Sequence, residues 1–112
     1  MQHYGKETEK ALAILGSGQT PRQLIRAYGE VKLAAIQAQQ ECQSIYPDDY
    51  YPHLENAARE IIRGDHDNQF PLPMAQGGAG TSLHMNICEV LSSLANSRYS
   101  GTFKGLPLEH IA

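Results

Sequence analysis

Apolar and polar positions along the chain follow helical periods rather than alternating. From Leu24, apolar or small residues recur at Tyr28, Val31, Ala35, Ala38, Cys42 and Ile45. That regular three-and-four spacing draws one stripe down a long helix. Glu30, Lys32, Gln37, Gln39, Gln40 and Glu41 fall largely off the stripe. Thr20 is a good N-cap and Pro21 suits the first helical position, where a missing N–H has no intrahelical use. Gly29 costs such a helix about 1 kcal/mol relative to alanine, which marks it as a candidate for close approach. Pro47 ends the element. A second helix is predicted over roughly residues 50–63, capped by Asp48 or Asp49 and closed by Gly64. Its apolar face is Leu54, Ala57, Ala58, Ile61 and Ile62. A third runs from about Thr81 to Ala95 with Leu83, Ile87, Val90, Leu91 and Leu94 inward. Residues Glu7 to Leu15 supply two further turns before the break at Gly16-Ser17-Gly18-Gln19.

Between the second and third helices, DHDNQFPLPMAQGGAG (residues 65–80) has no helical pattern. Phe70, Leu72 and Met74 alternate with Pro71 and Pro73. The stretch reads as extended, polyproline-like chain, because proline cannot donate to a sheet ladder. The fold class expected is mainly α: three or four helices, little or no sheet, and a glycine-rich loop feeding a helix. The 112 residues allow one domain. With 41% apolar and 19% charged residues the composition is globular. A net charge of −3 argues against nucleic acid as a partner, which needs a basic face. No apolar run approaches the roughly 20 residues of a membrane span, and no secretory start is evident, so neither membrane nor export is expected. Cys42 and Cys88 are too few for a disulfide framework, and a reducing cytoplasm is the expected compartment.

The most informative local feature is Gly77-Gly78-Ala79-Gly80-Thr81-Ser82. Small residues let a ligand approach the backbone, and the following helix offers N–H groups and the positive end of its dipole. With two hydroxyls added, this is a candidate site for a carboxylate or phosphate. The alternative is a glycine-rich turn in which Thr81 only caps the helix. A phosphate loop of the Walker type would need lysine before Ser/Thr, and a dinucleotide fingerprint would need a preceding strand. His84 stands one turn into the helix, as a candidate carboxylate partner or as a structural histidine. Asp65-His66-Asp67 lacks the spacing of known zinc or calcium loops and reads as a solvated turn. Cys42 and Cys88 default to buried small hydrophobes. A nucleophilic role would need a paired base, which the sequence does not place. Glu89 reads either as a surface residue or as a buried polar partner.

Taken together, residues 70–95, FPLPMAQGGAGTSLHMNICEVLSSLA, resemble the first shared block of the aspartase/fumarase superfamily. Aspartate ammonia-lyases carry a similar FPxDxxQGGAGTSxNMNxNEVLAN, whereas fumarases usually read TGSGTQSNMN. Upstream, Tyr4-Gly5-x-x-Thr8-x-Lys10-Ala11 resembles the family's YGxxTxRA, and Val31-Lys32-x-Ala34-Ala35 its VKKAAA helix. Downstream, Pro107-Leu108-Glu109-His110-Ile111-Ala112 resembles PNDHVN. Order and spacing fit across essentially the whole chain.

The resemblance implies that residues 1–112 are the N-terminal domain of an α-helical homotetrameric lyase, without its helical-bundle and C-terminal domains. It implies a substrate-carboxylate site at Ala79, Gly80, Thr81 and Ser82, with His84 and Asn86 as candidates for tuning substrate choice. The substrate would be a small dicarboxylate or amino acid, with aspartate elimination to fumarate and ammonia the first reading. The loop serine that acts as base in the family falls outside this chain, so no catalytic residue is assigned and the chain alone is expected to be inactive. No organic cofactor and no metal ligand is implied. The family's NMNxNE reads His84-Met85-Asn86-Ile87-Cys88-Glu89 here, so two asparagines are replaced. Cysteine cannot match the two-sided hydrogen bonding of an amide. Lys10 keeps the charge of the family's arginine but not its fork. Leu106, Leu108 and Glu109 occupy the places of the fumarases' secondary carboxylate site, which is therefore not carried over. Fumarase, another superfamily lyase, or a stand-alone binding or assembly domain is the alternative.

Overall fold

The computed structural model describes residues 2–42, 45–73 and 79–100, with the side chains of residues 79–81 outside that description. Residues 74–78 and the segment from residue 101 onward, with its Pro107–Ala112 similarity, also lie outside. The described residues form four helices, α1 (Lys6–Leu15), α2 (Arg22–Cys42), α3 (Tyr51–Arg63) and α4 (Ala79–Arg98), with a 3-10 turn at Asp67–Gln69. No strand occurs among the described residues, as the mainly α reading expected.

The inward faces of α3 and α4 are those the periodicity predicts. Leu54, Ala57, Ala58 and Ile61 meet Leu83, Ile87, Val90, Leu91 and Leu94 in one core, which Tyr50, Tyr51 and Phe70 complete. On α2 the expected stripe is rotated by about one residue. The buried positions are Ile25, Gly29, Lys32 and Ile36, while Val31 is 63% exposed and Cys42 is exposed. Ala38 also faces outward. The true face contains a glycine and a lysine, and a hydrophobicity pattern scores neither as core. Gly29 is inside because α2 and α3 approach closely there: a Cβ on it would lie 2.9 Å from Ile62 Cγ1.

Two predicted caps are replaced by longer-range contacts. Thr20 does not cap α2; its hydroxyl donates to the Leu72 carbonyl at 2.8 Å, and its N–H donates to Phe70 O. Gly18 N–H reaches Pro71 O at 2.8 Å. The proline-rich segment thus runs beside residues 18–20, and toward them it offers the carbonyls of Phe70, Pro71 and Leu72 as acceptors. Neither Asp48 nor Asp49 caps α3; Tyr50 occupies that position without a side-chain cap, and Asp49 accepts from the Tyr99 hydroxyl at 2.9 Å. Gly64 does close α3, in the left-handed conformation at φ 94°. The Arg22 guanidinium caps the same end, donating to the carbonyls of Ile61 and Ile62 and pairing with Asp67 at 3.1 Å. The remaining members of the Asp-His-Asp turn also have partners, His66 on Glu60 and Asp65 on Arg63.

Glu60 is the centre of a small charge network. Arg98 grips both carboxylate oxygens at 2.7 Å, and His66 Nε2 lies 2.8 Å from one of them. Hydrogen bonding from Arg98 outweighs partial burial and, with His66, brings the carboxyl down from the ordinary 4.5 to about 2. A depressed carboxyl stabilises the fold fully above its unfolded value and loses that contribution as pH falls through the folded one. The chain is therefore expected to lose about 2 kcal/mol from this pair on acidification, after discounting for solvent screening. The loss falls between roughly pH 4.5 and 2. Urea titrations across that window check it: Glu60→Gln should remove this part of the pH slope while lowering stability at neutral pH.

Candidate functional site

The glycine-rich sequence does not end where the helix was predicted to start. Helix α4 begins at Ala79, two residues before the expected Thr81, so Ala79-Gly80-Thr81-Ser82 form its first turn. Thr81 therefore stands inside the helix rather than at the cap. The N–H groups of a first turn lack intrahelical acceptors, and the helix dipole places partial positive charge there. Backbone geometry makes this end of α4 chemically suited to an anion. Ser82 is half-buried.

One turn on, His84 is half-buried and faces Lys32 of α2, with Nζ 2.7 Å from Nδ1. Burial and then the Lys32 charge lower the histidine's pKa, which favours neutral imidazole. Lys32 is 4% exposed, and burial lowers its own pKa. Asn86 points elsewhere. Its amide donates to Gln69 O at 3.0 Å and ties α4 to the 3-10 turn, while its Oδ1 has no partner among the described residues. Cys88 is fully buried, as its default predicted, but with a base nearby: His84 Nε2 lies 3.8 Å from its sulfur.

Glu89 resolves as a buried polar partner. Its carboxylate accepts from Glu7 N–H at 2.9 Å, from Thr8 N–H at 3.1 Å and from the Thr8 hydroxyl at 2.6 Å. A side chain of α4 thus caps the N-terminus of α1 across the core. Gly5 permits it, since a Cβ there would sit 2.8 Å from Glu89 Oε2. The Tyr4-Gly5-x-x-Thr8 motif is in this way the receptor for Glu89. That role could have been sought in the sequence by pairing the two motifs, because an uncapped glycine before a helix needs an acceptor from elsewhere.

A polar cleft of about 360 Å³ lies along Tyr4, Gly5, Glu89, Ser92 and Asn96. Its centre is roughly 18 Å along the helix from the first turn of α4 by helical rise, so it is a separate feature. At its edge His3 Nδ1 meets Ser93 Oγ at 2.9 Å, and the His3 ring stands edge-on to His66. No group of three or more His, Cys, Asp or Glu among the described residues is placed to hold a metal. No described helix is long and apolar enough to cross a membrane.

An all-α domain with a small-residue helix N-terminus, braced by a carboxylate cap from that same helix, is the class of structure defined here. By sequence and fold the chain belongs to the fumarate lyase superfamily. It is 35% identical over 102 residues to fumarate hydratase class II of Methylorubrum extorquens, covering 89% of this chain and 21% of that protein. It is 38% identical over 96 residues to fumarate hydratase class II of Halobacterium salinarum, covering 83% and 20%. The crystal structure of class II fumarase from Schistosoma mansoni superposes with a TM-score of 0.80 at 28% identity, over 98% of this chain and 24% of that one. Fumarate lyase:delta crystallin from Brucella melitensis, bound to cobalt, gives 0.77 at 31% identity, over 86% and 22%. No protein-family profile matches. The chain spans about a fifth of the length of the curated relatives it matches. These relatives are fumarate hydratases, whereas the QGGAGTS sequence pointed first to aspartate ammonia-lyase.

Proposed function

We propose that this chain supplies the substrate-carboxylate site of a lyase that forms or consumes fumarate. The observation that carries the reading is the placement of Ala79-Gly80-Thr81-Ser82 as the first turn of α4. In this reading the Ala79–Gly80 backbone and the Thr81 and Ser82 hydroxyls receive one carboxylate of a small dicarboxylate or amino-acid substrate. His84, neutral and held by Lys32, tunes which substrate the turn accepts. The amide of Asn86 is engaged with Gln69, so its influence is on the position of α4 rather than by contact. The base and the remaining site blocks come from the rest of a homotetrameric cytoplasmic enzyme, with no organic cofactor, and the chain alone is inactive.

Two reactions use such a site. The QGGAGTS sequence favours elimination of ammonia from L-aspartate, and the names of the matching relatives favour hydration of fumarate. Following fumarate absorbance with aspartate and with malate offered separately to the full-length protein separates them. Turnover of neither would replace the lyase reading with a binding or assembly domain. Thr81→Ala in that protein is expected to raise KM about tenfold, the loss of one charge-assisted hydrogen bond. An unchanged KM would remove Thr81 from the site.

A further inference from the structure

Lys32, His84 and Cys88 form a line of three titratable groups across α2 and α4. Nζ lies 2.7 Å from Nδ1, and Nε2 lies 3.8 Å from Sγ. Lys32 is 4% exposed and Cys88 0%. A buried ammonium needs a compensating charge. Among the described residues no carboxylate stands within ion-pair distance of Lys32. Glu89, next to Cys88, is turned to the N-terminus of α1, and Glu60 on α3 is held by Arg98 and His66. Burial favours the neutral amine of Lys32, and a negative charge on Cys88 opposes that.

The tautomer follows from the geometry. An ammonium can only donate, so Nδ1 accepts, and a neutral imidazole then carries its proton on Nε2. That N–H faces the sulfur, and a thiolate accepts from it far more strongly than a thiol does. We propose that Lys32, His84 and Cys88 are a proton-sharing triad that keeps Cys88 as a thiolate and makes it a modification site for small hydroperoxides and similar soft electrophiles. This proposal is independent of the lyase reading. Lys32 and His84 are positioning residues, and the sulfur is the reacting atom.

With hydrogen peroxide the sulfur attacks one peroxide oxygen and the O–O bond breaks. The sulfur is oxidised to sulfenic acid, and the departing oxygen leaves as hydroxide. Nε2–H passes its proton to that hydroxide, and Nδ1 takes one from the Lys32 ammonium. Lysine ends neutral and water is released. Burial of Cys88 restricts the reaction to small reagents.

The charge state is tested in the Cys42→Ser chain by following thiolate absorbance in the ultraviolet against pH, both native and in concentrated guanidinium chloride. The native midpoint is expected at least about one pH unit below the denatured value near 8.5. Lys32→Met and His84→Asn should each move it back up, with helical content followed by circular dichroism. A native midpoint at or above the denatured one overturns the proposal even if both variants fail to fold. Reactivity is tested in the unsubstituted chain by a short hydrogen peroxide pulse, quenching into denaturant containing dimedone, and peptide mass spectrometry. Cys88 should trap faster than the exposed Cys42. Label on Cys42 alone would overturn the assignment of Cys88 as a modification site, whatever its charge.

Discussion

Replacing Glu89 with alanine is expected to destabilise the chain by about 3 kcal/mol, an effect unusual for a charged residue on a helix. Three donors lose their acceptor at once: the N–H groups of Glu7 and Thr8 and the hydroxyl of Thr8. Thr8 is fully buried, so water cannot replace what is lost without opening the structure. The carboxylate also sits at the positive end of α1, where a negative charge is favoured. Glu89→Gln keeps one acceptor oxygen and loses the charge, so its cost should be smaller, about half. Gly5→Ala should act in the same direction, because its Cβ would crowd the Glu89 oxygen at 2.8 Å. Urea titration reads the stability, and amide exchange reads its location: the α1 amides should lose protection before those of α3. An Ala variant with an unchanged urea midpoint would show that α1 draws no stability from this cap.

The second large effect is expected at Gly29. In an exposed helix, glycine to alanine is worth about 1 kcal/mol in favour of alanine. Here the sign should reverse. The new Cβ would meet Ile62 Cγ1 at 2.9 Å and Ile61 Cγ2 at 3.3 Å, so α2 and α3 must separate or the isoleucines must leave their rotamers. Gly29→Ala is expected to cost about 1 kcal/mol and Gly29→Leu about 3 kcal/mol, the range of overpacked cores. Thermal unfolding of the two variants checks the order. Stabilisation by alanine would mean that the helices part at no cost.

The helical segments were legible in the chain to within a few residues, although their number was left at three or four and α4 starts two residues before the expected Thr81. The sequence by itself determined the faces of α3 and α4, the glycine stop at Gly64 and the non-helical proline segment. These are local properties: side-chain period, left-handed glycine and a missing N–H act within a few residues. The FPLPMAQGGAGTSLHMNICEV block likewise carried the family, because a specific string survives without reference to folding. Tertiary structure decided the orientation of α2. Its buried face includes Gly29 and Lys32, which belong inside only because α3 and His84 are there to meet them. Tertiary structure also decided the fates of polar residues. Thr20 and Asp49 had good local caps to make and instead took partners on distant segments, Leu72 and Tyr99. Glu89 became the cap of a distant helix, bonding Glu7 and Thr8, which stand 82 and 81 positions earlier in the chain. A hydrogen-bonding side chain has no period, so its partner is fixed by which helices pack together, and only the assembled core contains that information.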